Sequence, residues 1–285
     1  MVQTTSITRP QTPKRKRAVF NYQPPHLDKA EKRLRVHLVF PHSDIRNCFD
    51  DDLRVRMAVS YVQEVINTKR RDSEEIIVLP AGFHTSDLKT LKKRVANAMR
   101  TFRGHKILIS AGADCPDKSQ YSYLMDLANY EWQFVKKFRT EDNPGNRDDP
   151  RAYHFGGQKV FPLCCMDGCA FRGGTYPDSM KWERDLYNVV IDNAHFHGSK
   201  EYGKKEWGVF NAGQITAGLG QLAESQNTLR TKGLAVISFY TDRSPFDTGV
   251  KWYYLKWGKN RITSKDYEAG SGQYKTWYRV LEIQT

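Results

Sequence analysis

The sequence predicts a layered fold of mixed α/β class (α+β layers), with helices covering two β-sheets. Three observations lead there. Strand-like and helix-like segments alternate twice in the first half of the chain. Strands become more frequent afterwards. The helical segments are apolar on one side only, so each has a face to bury.

Order is expected to begin at Arg35-Val36-His37-Leu38-Val39-Phe40, which has strand composition. Val55, Val59, Val62 and Ile66 then recur at helical spacing. Asp50, Asp51 and Asp52 stand at the N-terminal end, where the helix dipole favours acids. Ile76-Ile77-Val78-Leu79 reads as a buried strand stopped by Pro80. A second helix runs through Leu88, Leu91, Val95 and Met99, with Asp87 as its N-cap. A strand from Lys106 to Ser110 follows, then a loop rich in Asp, Pro and Lys, then strands over 121–138. Residues 139–152 form a polar loop around Asn143-Pro144-Gly145-Asn146. The next strand ends at Cys165, and 172–185 are loop. Leu186 to Asp192 and Leu234 to Tyr240 are strands on either side of a helical stretch over 206–230. Trp252 to Trp257 and Tyr274 to Ile283 are strands joined by Gly-rich turns.

Charge divides the chain. Residues 1–35 carry nine Lys/Arg against Asp28 and Glu31, a net +7 of the whole chain's +13. Residues 1–33 therefore read as a disordered basic tail, and 34–285 as one folded domain. Such a tail favours polyanions, with Lys14, Arg15, Lys16 and Arg17 as the candidate nucleic-acid contacts. The same run resembles a nuclear-import signal, which would matter in a eukaryotic cell; the plainer reading is a solvated tail. Deleting residues 1–33 is expected to weaken DNA or RNA binding and flatten its salt dependence. Unchanged binding with an unchanged salt slope would move any nucleic-acid site onto the folded body.

The apolar fraction is 39%, low for a globular chain, yet 14 Phe, 15 Tyr and 6 Trp supply a sizeable core. No apolar run approaches a bilayer span, and the N-terminus shows no signal-peptide pattern, so no membrane partner is expected. Five cysteines, odd in number and without CxxC pairs, point to a reducing intracellular, cytoplasmic setting. The Gly-Gly turns at 156–157 and 173–174 match neither the dinucleotide nor the P-loop pattern, and no cofactor is expected. His195-Phe196-His197 places two imidazoles on one strand face, but spacing supplies no third ligand, so no metal is assigned. Lys251-Trp252-Tyr253-Tyr254-Leu255-Lys256-Trp257 suits either base stacking or, preferably, an amphipathic strand at a protein interface.

One run carries chemistry: Val160-Phe161-Pro162-Leu163-Cys164-Cys165-Met166-Asp167-Gly168. It is an apolar strand that ends on a thiol and turns at Asp-Gly. A strand end beside a loop is held by the fold and open to a pocket, which suits a nucleophile. The bland alternative is a buried cysteine packing as a small hydrophobe.

The order of elements and motifs resembles the nitrilase superfamily, the carbon–nitrogen hydrolases. Ile76 to Pro80 resembles the family's strand ending in Pro-Glu. Trp132-Gln133-Phe134-Val135-Lys136-Lys137-Phe138 resembles the strand that delivers its lysine. Leu163-Cys164-Cys165-Met166-Asp167 resembles its apolar-Cys-Tyr-Asp turn, and Asp192 to His197 falls where it places substrate-pocket residues. The resemblance implies an α-β-β-α sandwich, a homo-oligomer, and a small amide-like substrate attacked by Cys165. It implies Lys136 as oxyanion stabiliser, with Lys137 as the competing choice, and puts Asp167, His195 and His197 at the substrate pocket. Cys164 then turns to the opposite strand face and belongs to the core.

The family's general base would follow Pro80, where this chain has Ala81. Alanine accepts no proton. Three readings stay open: catalysis is lost and the fold is kept for binding; another group replaces the glutamate; or the motif lies elsewhere. For replacement His84 is the nearest candidate, three residues beyond the empty position on the same loop, with His195 and His197 as others, and a Cys–His pair is a workable activated nucleophile.

Overall fold

Alternating burial along the strands sorts the chain into four layers. The computed structural model describes residues 33–41, 51–68, 73–80, 82–117, 119–137, 152–165, 167–168, 188–196, 206–228, 232–241, 252–259, 261–269 and 276–284. Strands β1 (Arg33–Pro41), β2 (Ser73–Val78), β3 (Ile107–Asp114), β4 (Gln120–Asp126) and β5 (Glu131–Lys136) join β11 (Arg261–Ala269) and β12 (Thr276–Gln284) in one sheet. Its order is β11-β12-β1-β2-β3-β4-β5. Strands β6 (Tyr153–Phe155), β7 (Gln158–Cys164), β8 (Val189–Phe196), β9 (Gly233–Thr241) and β10 (Trp252–Trp257) form a second sheet, ordered β10-β9-β8-β7-β6. The centres of both sheets are parallel: β1 with β2 and β2 with β3 in the first, β7 with β8 and β8 with β9 in the second.

Three apolar clusters separate the layers. Leu34, Val36, Leu38, Ile76, Val78 and Leu108 of the first sheet meet Val160, Val189, Ile191, Leu234 and Val236 of the second. On the outer face of the first sheet, Val39, Ile77, Ile109, Tyr123 and Met125 pack under α1 (Asp51–Thr68) and α2 (Leu88–Met99). On the outer face of the second, Phe161, Leu163, Val190, Ala194 and Ile237 pack under Ile215, Leu219 and Leu222 of α3 (Glu206–Thr228). Period-two alternation gives each strand one face for each cluster. The result is an α-β-β-α sandwich. No helix among the described residues is long and apolar enough to cross a membrane.

Local signals set the helix starts. The Asp87 side chain accepts from the Thr90 amide, capping α2 as its sequence position predicts. Asp51 accepts from the Thr85 and Ser86 amides at 2.9 and 2.8 Å, and Arg54 donates to the Gly82 and Phe83 carbonyls. The first turn of α1 thereby pins the loop between β2 and α2.

Three elements differ from the sequence-based expectation. β8 runs on to Phe196, so Asp192 lies within the strand and not at its end. β11 occupies chain read as Gly-rich turns; it is an edge strand whose side chains are mostly exposed, so no apolar run marks it. β6 has three residues and closes a hairpin on β7 through Gly156 and Gly157, both at positive φ. Residues 1–32, with Lys14, Arg15, Lys16 and Arg17, lie outside the described residues, as does Ala81.

Candidate active site

The site is built at the carboxyl end of β7. The strand is buried through Val160, Phe161, Leu163 and Cys164. At Cys165 the backbone turns into the left-handed region, φ 54°. A non-glycine residue there costs roughly 1–2 kcal/mol and persists only where its surroundings hold it. Two interactions hold this turn. The Asp167 carboxylate accepts the Cys164 amide at 3.2 Å, and Ser122 Oγ of β4 donates to the Leu163 carbonyl at 2.7 Å. Cys165 is 6% exposed.

The space between the sheets beside this turn is polar. Cys164 pairs in register with Asn193 of β8, so both occupy the inter-sheet face. The Asn193 side chain accepts from Ser110 Oγ at 2.8 Å and donates to the Leu79 carbonyl, spanning the sheets one residue before Pro80. Ser238 Oγ of β9 donates to the Val39 carbonyl nearby in the same layer. In parallel sheets the carboxyl ends of strands are where ligands bind, and here those ends carry a thiol and hydrogen-bonding side chains.

The two lysines separate cleanly. Lys136 pairs with Tyr121, shares its strand face with Phe134 and Trp132, and is exposed; its charge acts on Asp117. Lys137 continues the ladder through its amide to the Gln120 carbonyl and falls on the other face, with Val135. Its ammonium donates to Gln120 Oε1, and its charge reaches both Cys164 and Asp192. Among the described residues Lys137, the competing choice in the sequence, is thus a cation whose charge reaches the thiol turn.

His84 is placed elsewhere. Its Nε2 lies 3.1 Å from the Tyr123 hydroxyl on the helix-covered face of the first sheet. The neighbouring Ser122 points the opposite way, to β7. The sheet therefore lies between His84 and Cys165. Burial drives the His84 pKa down to about 3, with Asp51 opposing and Arg54 adding to the shift, so the ring is neutral near pH 7. Asp167 is fully buried at the turn, where the resemblance implied a pocket residue. His195 lies in β8 in register with Tyr240, and His197 lies outside the described residues.

Asp192 opens the 192–197 stretch that the resemblance puts at the substrate pocket. It is fully buried, and its carboxyl lies against the 165–168 turn: a methyl on Gly168 would stand 2.5 Å from Asp192 Oδ2. Burial, then the Cys165 thiol and Asp167, push its pKa well above the usual carboxylate range, with Lys137 opposing. Burial first and Asp167 next push the Cys164 thiol well up, which keeps it protonated and inert. The signal in the sequence was Asp192-Asn193 closing the apolar run Val189-Val190-Ile191. Polar residues inside a buried strand demand partners. Among the described residues no group of three or more His, Cys, Asp and Glu side chains could hold a metal ion.

The fold and this thiol turn define the class: an α-β-β-α sandwich with a cysteine at the carboxyl end of a central strand. No family model matches the chain, and no curated protein matches it. Solved structures similar to it include an amidase from Nesterenkonia sp., at 10% identity and TM-score 0.48, covering 82% of this chain and 92% of that one. A further structure of that amidase, described as from the nitrilase superfamily, aligns at 11% identity and TM-score 0.46, over 80% and 91%. A glutamine-dependent NAD+ synthetase from Acinetobacter baumannii aligns at 12% identity and TM-score 0.42, over 80% of this chain and 46% of that one. At such identities and scores these likenesses lend no residue of this chain a role.

Proposed function

We propose that this chain is a divergent, nitrilase-like protein that hydrolyses a carbon–nitrogen bond of an amide through Cys165. The observation that supports this most is the left-handed backbone at Cys165 on the end of β7, with Lys137 as a cation whose charge reaches the neighbouring Cys164 and Asp192. A strained, tightly held residue at a strand end is a common setting for chemistry. In the reading, the Cys165 thiolate attacks the amide carbonyl and a C–S bond forms. The oxyanion that develops is stabilised by the Lys137 ammonium. The thiol proton passes to solvent as the thiolate forms; the C–N bond then breaks, the leaving nitrogen takes a proton from water, and the hydroxide so formed hydrolyses the thioester to a carboxylate and regenerates the thiol. Lys137 replaces Lys136 in this proposal, and His84 takes no part.

The test is ammonia release from a panel of short aliphatic amides, read beside iodoacetamide labelling of the native protein. Release is expected, falling to background in Cys165→Ala, with Cys165 labelled ahead of Cys164. A Cys165 that is labelled only in denaturant, in a protein that releases no ammonia, would overturn the enzymatic reading. With Ala81 in the base position, the fold would then serve binding, of nucleic acid or a protein partner through the basic tail.

A further inference from the structure

We propose that Asp192 is a positioning residue for Cys165, its carboxyl packed beneath the 165–168 turn and electrostatically coupled to the thiol. The inference rests on the reading of Cys165 as a reactive thiol and gives Asp192 a role that the resemblance does not supply.

The geometry carries it. Asp192 sits in the middle of the second sheet, in register with Leu163 of β7 and Ile237 of β9. By alternation it shares the α3-covered face with Val190 and Ala194. Ile215 of α3 closes the same place, 2.9 Å from where a Gly168 methyl would stand. An acid in such apolar company normally has a tight ion pair or several donors. Neither Asp192 oxygen accepts a well-formed hydrogen bond; the Cys165 amide is close enough to favour the ionised carboxylate, but only weakly. Gly168 is needed because any side chain there would strike the carboxyl. Asp192 thus fills the space under the turn that holds Cys165 in its left-handed conformation.

Among the described residues, charged and titratable groups act on Asp192 from three places. From the turn come Cys165 and Asp167, from the end of β7 Cys164, and from the end of β5 Lys137. Deep burial pushes the carboxyl well above its usual range, with the Cys165 thiol and Asp167 acting in the same direction and Lys137 against it. Once Asp192 ionises, its negative charge opposes formation of the thiolate. In the free-energy balance of folding the sign is also set. A carboxyl whose folded pKa is raised adds stability fully present below the unfolded value, and that contribution is lost as pH rises through the folded value.

The experiment is the pH profile of Cys165 alkylation by iodoacetamide, followed by peptide mass spectrometry, in the wild-type full chain and in Asp192→Asn. Asparagine keeps the shape and removes the charge. The wild-type profile is expected to be broader than a single titration step. The Asp192→Asn profile is expected to collapse toward a single step, with alkylation about tenfold faster where the wild-type carboxyl is ionised, one pKa unit being a tenfold change. A merely structural role would leave the profile's shape unmoved. Thermal unfolding monitored by circular dichroism shows that the variant is folded; if Asp192→Asn does not fold, Asp192→Ala carries the same measurement with the same expected sign. Superimposable profiles, with Cys165 reactive in both proteins, would overturn the Asp192 proposal and leave the nucleophile standing. A Cys165 inert in the folded wild type and both variants would overturn the nucleophile itself.

Discussion

Lys137→Ala is expected to slow iodoacetamide alkylation of Cys165 by about tenfold near neutral pH, since a neighbouring ammonium favours the charged thiolate. Lys136→Ala is expected to change it by less than about twofold, because that side chain is solvated on the far face and its field is screened. The contrast follows from one residue of strand alternation. Lys137 lies on the face of Val135 and sends its charge to Cys164 and Asp192, whereas Lys136 lies on the face of Phe134 and acts on Asp117. Lys137 is itself half-exposed, so solvent weakens its influence, and the tenfold figure already allows for that. Second-order alkylation rates, read peptide by peptide, test it. Equal rates in the two variants would remove Lys137 from the site, and a larger loss in Lys136→Ala would restore the alternative.

The second large effect is on stability. Unfolding midpoints in urea are expected to fall steeply as pH drops from 6.5 toward about 3, the window between the ordinary His84 value and its value in the fold. The sign follows from proton binding. In that window the unfolded chain protonates His84 and the folded chain does not. Stability is therefore complete above the unfolded value and is lost as pH falls through the folded one. Burial is the dominant cause. The ring is sealed under the α1 N-terminus against Phe83 and Tyr123, with Nδ1 unpartnered. His37, buried beside Glu75 at 2.7 Å, is shifted the same way by burial and adds to the same slope. Asp51 adds a loss only at the acid end, below its ordinary value of 3.8, since hydrogen bonds from Ser86 and Thr85 outweigh its burial and lower its pKa. In His84→Gln, which cannot take up a proton, the midpoint between about pH 6.5 and 4 is expected to depend much less on pH than in the wild type. A slope equal to the wild type's would remove His84 as the source of the acid sensitivity and leave it to other groups, His37 among them. A Cys165 alkylation rate that collapses in His84→Gln at pH 7, in a protein still folded, would return His84 to the thiol.

Much of the fold was legible in local pattern. The strands around Val36, Ile77, Leu108, Leu163 and Val236 are apolar runs that only burial on both faces explains, and both helices after them show one apolar side. Asp87 announced a cap because its side chain acts within one turn of chain. β11 was not legible, since an exposed edge strand carries no apolar run; it was built by pairing with β12, and β12 in turn lies against β1, nearly the whole chain away.

The site divides along the same line. The sequence by itself determined which chemistry is at hand: a thiol closing an apolar strand, two adjacent lysines ahead of it, and an alanine where the resemblance puts a glutamate. Those are matters of residue identity and order. Tertiary structure alone decided which groups meet. Trp132 to Phe138 has no clean alternation, so only the register of β5 against β4 could turn Lys137 inward and Lys136 out. His84 is near Ala81 in the chain, yet the first sheet comes between it and the thiol, because Ser122 and Tyr123 point to opposite faces of one strand. Asp192 is distant in sequence from Cys165, and the parallel pairing of β7 with β8 brings its carboxyl under the turn. Side-chain direction in a strand alternates with every residue, so a shift of one position reassigns a site, and that register is settled by long-range pairing and packing.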